Sequence, residues 1–213
     1  MTDGRLIRLA RFYDPFVWLL TLGRTRSLRA APLDLAALRP GERVLEVGCG
    51  TGEVALRAAR RVRPGGLVVG IDAAPEMIAV ARRKARGTAH FEVQPVEAMS
   101  FPAGSFDVVL SSLMMHHLPG ALKVRALGEV RRVLRPGGRL VIVDIQAGVG
   151  PLRIWQPGGL AGRIHRQQGH AAAGTGLPDL AALLREAGFV AVQTGATASR
   201  WLGYARGEVP HEQ

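Results

Sequence analysis

Residues 43–52 run Arg-Val-Leu-Glu-Val-Gly-Cys-Gly-Thr-Gly, a short apolar segment that breaks into three alternating glycines. No other stretch constrains the fold as tightly. Glycine permits positive φ and lets a second group approach the backbone with no Cβ in the way. A short, mostly apolar strand, Arg43 to Val47, closed by such a turn and followed by a helix-forming run (Gly52 to Val62, stopped by Pro64-Gly65) is the opening of a strand–turn–helix unit.

The pattern then repeats. Leu67 to Ile71 is almost wholly apolar, as expected of a strand in the middle of a parallel sheet. Pro75 and Glu76 mark the start of a helix that runs to about Arg86 and ends at Gly87. His90 to Val93 and Phe106 to Leu110 read as strands three and four. Ala121 to Leu134 reads as a helix closed by Pro136-Gly137, and Arg139 to Asp144 as strand five. Pro178 to Ala187 is expected to be helical, with two last strands at Phe189 to Thr194 and Trp201 to Arg206, paired antiparallel at one edge. The expected architecture is α/β: a doubly wound, Rossmann-like sheet of seven strands, mostly parallel with an antiparallel edge strand, and helices on both faces.

Two segments stand apart. Residues 1–40 carry a basic start, an aromatic and aliphatic cluster from Phe12 to Leu22, and a helix expected over Leu33 to Leu38; together they form a helical lid on the domain spanning 41–213. Residues 145–176 are glycine- and alanine-rich and form a looser, acceptor-side segment. The single cysteine, Cys49, excludes intrachain disulfides and cysteine-based zinc clusters, and no metal site is expected. No apolar run reaches the roughly 20 residues of a membrane span. No leader pattern opens the chain, so a cytoplasmic location is expected, at the inner membrane face if the Phe12 to Leu22 cluster lies on lipid. Twenty-eight basic against 17 acidic residues give a net charge of +11, and all the basic residues except Lys84 and Lys123 are arginines. Such a surface attracts phosphates, whether of an anionic membrane or of RNA.

Asp72 lies twenty residues past Gly52 at the end of strand two, where a carboxylate can accept both hydroxyls of a ribose. A nucleoside-containing ligand is therefore expected. A dinucleotide site needs G-x-G-x-x-G, whereas this chain has G-x-G-x-G with Glu53 in the third glycine's place. Glu46 would repel a pyrophosphate and suit an ammonium group. No Lys-Ser or Lys-Thr follows, which excludes a Walker phosphate loop.

Four elements in order carry a family resemblance: Glu46 to Gly52 (E-V-G-C-G-T-G), Asp72, Phe101 to Asp107 (F-P-A-G-S-F-D), and Leu134 to Gly138 (L-R-P-G-G). Over residues 40 to 145 the chain closely resembles the class I S-adenosylmethionine-dependent methyltransferases, in particular the ubiquinone/menaquinone-biosynthesis-like subgroup. That resemblance implies S-adenosylmethionine as cofactor and S-adenosylhomocysteine as its product. It implies that Gly48, Cys49, Gly50 and Gly52 wrap the amino-acid part of the cofactor, that Glu46 supports that loop and the ammonium, and that Asp72 takes the ribose. Ala73, Met77, Val96 and Glu97 are then expected around the adenine. Ser111 and Leu113 are expected near the methionine end and the acceptor, and Tyr13 and Trp155 at the acceptor. His116, His117 and Asp144 are the candidates for proton transfer, because ligands bind outside the carboxyl ends of the strands.

One departure concerns the adenine. The family's Asp-Ala or Asn-Ala is replaced by Pro95-Val96, and proline offers neither a side-chain acceptor nor an N–H. The backbone N–H of Val96 is left to meet the ring. The implied acceptor is a small or lipophilic molecule, quinone-like or lipid. RNA is the alternative acceptor, although Ser111-Ser112-Leu113-Met114 lacks the Asn/Asp-Pro-Pro-Tyr/Phe motif of base-amine methylation. A methyltransferase-like binding protein without turnover is the non-enzymatic alternative.

Overall fold

A computed structural model describes residues 25–146, 177–199 and 201–211. Their helices are α1 (Thr25–Ala36), α2 (Glu53–Arg61), α3 (Pro75–Ala85), α4 (Gly120–Val133) and α5 (Leu177–Glu186). The strands are β1 (Arg43–Val47), β2 (Leu67–Asp72), β3 (His90–Val93), β4 (Phe106–Ser112), β5 (Leu134–Ile145), β6 (Val190–Ala196) and β7 (Leu202–Glu208). They form one seven-stranded sheet in the order β3-β2-β1-β4-β5-β7-β6. Strands β1 to β5 are parallel to one another, while β7 runs antiparallel to both β5 and β6. The last two strands thus pair antiparallel at one edge as expected, with the reversed strand one place in from it.

Successive residues of a strand point to opposite faces, and here both faces are covered. Val44, Val68, Val108 and Val141 pack on one side with Leu33 and Ala36 of α1, Ala55 and Ala58 of α2, and Ile78 and Ala81 of α3. Their chain neighbours Leu45, Val69, Val109 and Ile142 pack on the other side with Leu127 and Val130 of α4 and Leu180 and Leu184 of α5. This double burial is why the strands read as unbroken apolar runs.

Most boundaries fall within a residue or two of the expected ones. Two do not. The helix expected over Leu33 to Leu38 instead spans Thr25–Ala36 and carries Pro32 inside it. Proline forfeits one backbone hydrogen bond there. Burial of Leu33 and Ala36 keeps the helix in place, and Arg139 grips its end by donating from Nε to the Ala36 carbonyl at 2.6 Å. The same guanidinium binds both oxygens of Glu42 at 2.8 and 2.9 Å. Burial alone would raise the Glu42 pKa; the bonds and charge of Arg139, together with the Arg39 N–H and charge, outweigh it and hold the carboxyl below its ordinary value.

The second correction is at Leu134, expected to end a helix but found opening β5. Pairing steps from Phe106 opposite Leu134 to Val108 opposite Arg139, so Pro136-Gly137-Gly138 forms a bulge inside the strand. The bulge keeps its backbone satisfied: Gly137 donates to the Val209 carbonyl at 3.0 Å, and Val209 donates back to Gly138 at 2.8 Å. Among the described residues no helix is long and apolar enough to cross a membrane. The lid cluster of residues 12–22 and the looser segment of 147–176 lie outside the described residues.

Candidate active site

The glycine turn leaves β1 at its carboxyl end and feeds α2. Gly48 has φ +67° and Gly50 φ +52°. A Cβ on Gly48 would stand 2.2 Å from Met114 Cγ, so this glycine is demanded by packing against the turn after β4. A Cβ on Gly50 would meet nothing within 4 Å: here the backbone faces open space, available to a ligand. Gly52, also left-handed, precedes the first helical residue of α2.

Two carboxylates hold this turn. Asp72, at the end of β2, accepts the Gly50 N–H at Oδ2 and the Ala74 N–H at Oδ1, both at 2.9 Å. It therefore ties the glycine turn to the start of α3, and each oxygen retains a lone pair for a hydroxyl donor. Glu46 is 2% exposed and accepts the Ala55 N–H of the first turn of α2 at 2.7 Å. Burial raises the Asp72 pKa against these two donors. Burial also pushes the Glu46 carboxyl up to about 8, with the Asp72 charge adding to the rise and the Ala55 N–H opposing it. In the ligand-free protein near neutral pH, Glu46 is therefore mostly protonated, and a cation brought beside it would ionise it.

Cys49 contributes its backbone, not its thiol. Its N–H donates to the Ile71 carbonyl at 2.9 Å, while the side chain is buried in the core on the α2 side. Burial pushes the thiol far above its ordinary range, with Glu46 and Asp72 adding to the effect. It is no nucleophile.

Strand β4 runs between β1 and β5 and delivers Ser111 beside Val47. Ser111 is 1% exposed, and its Oγ has no hydrogen-bond partner among the described residues. A buried hydroxyl without a partner is uncommon and marks a place where an external group completes the bonding. The chain then turns at Leu113, with φ +54°, into a 3₁₀ turn at Met115–His117. Here His116 meets Asp144 from the end of β5. The His116 N–H donates to Asp144 Oδ2 at 3.0 Å, and His116 Nδ1 lies 2.6 Å from Oδ1. Asp144 also accepts the Ile145 N–H at 2.8 Å and is 4% exposed. The carboxylate clamps both backbone and ring of His116, which leaves Nε2 as the free ring nitrogen for chemistry. The exposed His117 ring lies against His116 with centroids 3.9 Å apart and the ring planes tilted by 42°.

The turn from Leu113 to His117 adjoins the glycine turn through Met114 and Gly48, so the histidine–aspartate pair belongs to the same end of the sheet as the cradle. Of the residues expected around the adenine, Ala73 is exposed and Met77 half-buried. Glu97 is half-buried, and the Val96 side chain is in the core with Val69 and Ile71. Tyr13 and Trp155 lie outside the described residues. Sequence reasoning missed Met114, whose side chain dictates Gly48, and Lys123. The latter is 2% exposed; burial lowers its pKa, against the attraction of Asp144 and Asp179. A lysine on an otherwise apolar helix face was the available signal.

Residues 44–138 match the family described as a methyltransferase domain. The chain is 41% identical over 140 residues to the demethylmenaquinone methyltransferase of Thermus thermophilus, an alignment covering 64% of this chain and 62% of that protein. It is 38% identical over 187 residues to the nocamycin O-methyltransferase of Saccharothrix syringae, covering 84% of this chain and 65% of that one. The chain thus spans a little under two thirds of the length of these two curated relatives. A crystal structure of an S-adenosylmethionine-dependent methyltransferase from Aquifex aeolicus superposes with a TM-score of 0.69 at 19% identity, covering 98% of this chain and all of that one, which shows the shared fold.

Proposed function

We propose that this chain, whose residues 44–138 match the methyltransferase-domain family, is an S-adenosylmethionine-dependent methyltransferase acting on a small or lipophilic acceptor, quinone-like or lipid. The observation that carries this reading is the cradle at the carboxyl ends of β1, β2 and β4. It combines open space over Gly50, a buried carboxyl at Glu46, a loop-anchored carboxylate at Asp72 and the unpartnered Oγ of Ser111. The residues present fit the cofactor. Glu46 matches its ammonium, Asp72 its ribose hydroxyls, and Ser111 Oγ its methionine end. Ala73, Met77, Glu97 and the backbone N–H of Val96 would take the adenine. Leu113 borders the acceptor side.

The cofactor supplies an electrophilic methyl carbon, so the protein's work is alignment and proton management. Glu46 would hold the ammonium end of the cofactor and Asp72 its ribose. His116 takes the acceptor's proton at Nε2, while Asp144 holds Nδ1 and the backbone N–H, setting tautomer and ring orientation. His117 packs at a tilt against that ring. The acceptor class is supported by the two relatives, whose names specify a menaquinone precursor and the small molecule nocamycin.

The test is transfer of a labelled methyl group from S-adenosylmethionine in the presence of a demethylated quinol, a mixed lipid extract or bulk RNA. Label that enters the organic phase with the quinol or lipid supports the reading. Label found only in RNA would overturn the acceptor class.

A further inference from the structure

A second site stands outside the cradle, on the outer face where α2 and α3 lie side by side. A cavity of about 870 Å³ opens there between the two helices. Arg57 and Arg60 of α2 line one wall, and Arg83, Lys84 and the following Arg86 line the other. The only acidic group lining it is Glu53. Its carboxylate is already engaged by Lys84 at 2.9 Å and by Arg29 at 3.3 Å, so it does not neutralise the arginines.

Cations in the last turn of a helix complement the helix dipole, and that is an ordinary reason for Arg83 and Lys84 to stand where they do. It does not extend to Arg57, which sits in the middle of α2. Arg57 Nε is buried, and it has no hydrogen-bond partner among the described residues. Burying a charged donor without an acceptor is costly, and most such donors in folded proteins are satisfied. Among the described residues nothing supplies that acceptor. The further cations lining the same cavity, Arg60, Arg83 and Arg86 with Lys84 paired to Glu53, favour an anionic acceptor. Phosphoryl oxygens match this donor set: guanidinium forks engage them in pairs, and several cations share one multivalent anion. Leu56 and Val80 add an apolar strip beside the cations, which suits a phosphorylated organic molecule.

We propose that the groove between α2 and α3 is a binding site for a phosphate-bearing ligand, with Arg57, Arg60 and Arg83 as its principal donors. The site is independent of the acceptor chemistry. It lies directly behind the cradle, since Glu53 follows Gly52 and Gly52 packs against Phe91 and Ala81.

The experiment is calorimetric titration of the full chain with inorganic pyrophosphate, repeated with the variant Arg57→Gln/Arg83→Gln. Its fold is checked by circular dichroism, because Arg83 is exposed and Arg57 only half-buried. The expected result is binding with a Kd of about 1 mM or tighter in low salt, weakened at least roughly tenfold in the variant. Pelleting with vesicles of phosphatidylglycerol, compared with phosphatidylcholine, separates the two sources of phosphate. Phosphatidylglycerol-specific pelleting that the variant loses assigns the ligand to a lipid headgroup. Pyrophosphate binding without pelleting assigns it to a free phosphorylated molecule. No pyrophosphate binding up to about 10 mM, or equal binding by the folded variant, overturns the site.

Discussion

Glu46 makes the cradle a proton-coupled binding site, and Glu46→Gln tests this. The carboxyl is buried, and its pKa is pushed from an ordinary 4.5 up to about 8. At pH 6.5 it is almost fully protonated in the free protein, whereas an α-amino group of ordinary pKa, about 7.7–8.0, is still charged. Docking that ammonium against Glu46 ionises the carboxyl, so binding of S-adenosylhomocysteine should release roughly one proton per site. Calorimetry in buffers of different ionisation enthalpy reads this number directly. In Glu46→Gln the amide keeps an oxygen for the Ala55 N–H, release falls to near zero, and affinity drops at least about tenfold. The same shift governs stability. The folded pKa lies above the unfolded one, so the contribution of neutral Glu46 is fully present below about pH 4.5 and is lost as pH rises through 8. The loss is at most about 5 kcal/mol. Ligand-free protein should therefore melt at lower temperature at pH 8 than at pH 5.5, and Glu46→Gln should flatten that slope. A binding enthalpy independent of buffer in the wild type, or equal proton release in Glu46→Gln, would refute the reasoning.

Three further outcomes are expected. Asp72→Ala removes the acceptor of the Gly50 and Ala74 N–H groups as well as the ribose contact, and should weaken S-adenosylhomocysteine at least tenfold, about 1.4 kcal/mol; unchanged affinity in a calorimetric titration of the folded variant removes the ribose assignment. Asp144→Asn should lower kcat at least about tenfold while leaving cofactor affinity intact, because it disturbs the clamp on His116 and not the glycine turn; normal turnover in a methyl-transfer assay takes the pair out of the mechanism. Gly48→Ala should lower the melting temperature, since its Cβ would sit 2.2 Å from Met114 Cγ at positive φ, by about 1–3 kcal/mol of stability; Gly50→Ala, with open space around its Cβ, should cost stability only through its backbone and should instead impair cofactor binding, a contrast that a thermal melt and a titration check together.

The succession of core strands and helices and the cradle were legible because both rest on local pattern. Doubly buried strands read as apolar runs, and the E-V-G-C-G-T-G turn with Asp72 locates the carboxyl ends of β1 and β2. What stayed hidden depends on partners distant in the chain. Helix α1 carries Pro32 because Leu33 and Ala36 are buried against the sheet and because Arg139, 103 residues after Ala36, holds the Ala36 carbonyl. Pro136-Gly137-Gly138 resembles a helix stop, yet Val209 supplies the hydrogen bonds that turn it into a bulge. Histidine 116 and Asp144 could each be placed at the sheet's carboxyl end, but the 2.6 Å contact across 28 residues is a product of β4 lying beside β5. The orphaned Nε of Arg57 has no sequence signature, because an arginine in a helix reads as a solvated face.

The most direct measurement is calorimetric titration of the purified chain with S-adenosylmethionine and S-adenosylhomocysteine, with NADH as control. Saturable binding of both sulfur nucleosides at micromolar concentration, with none of NADH, is the predicted result. Binding of NADH in their place would contradict the account, as would no binding of either sulfur nucleoside to a folded chain.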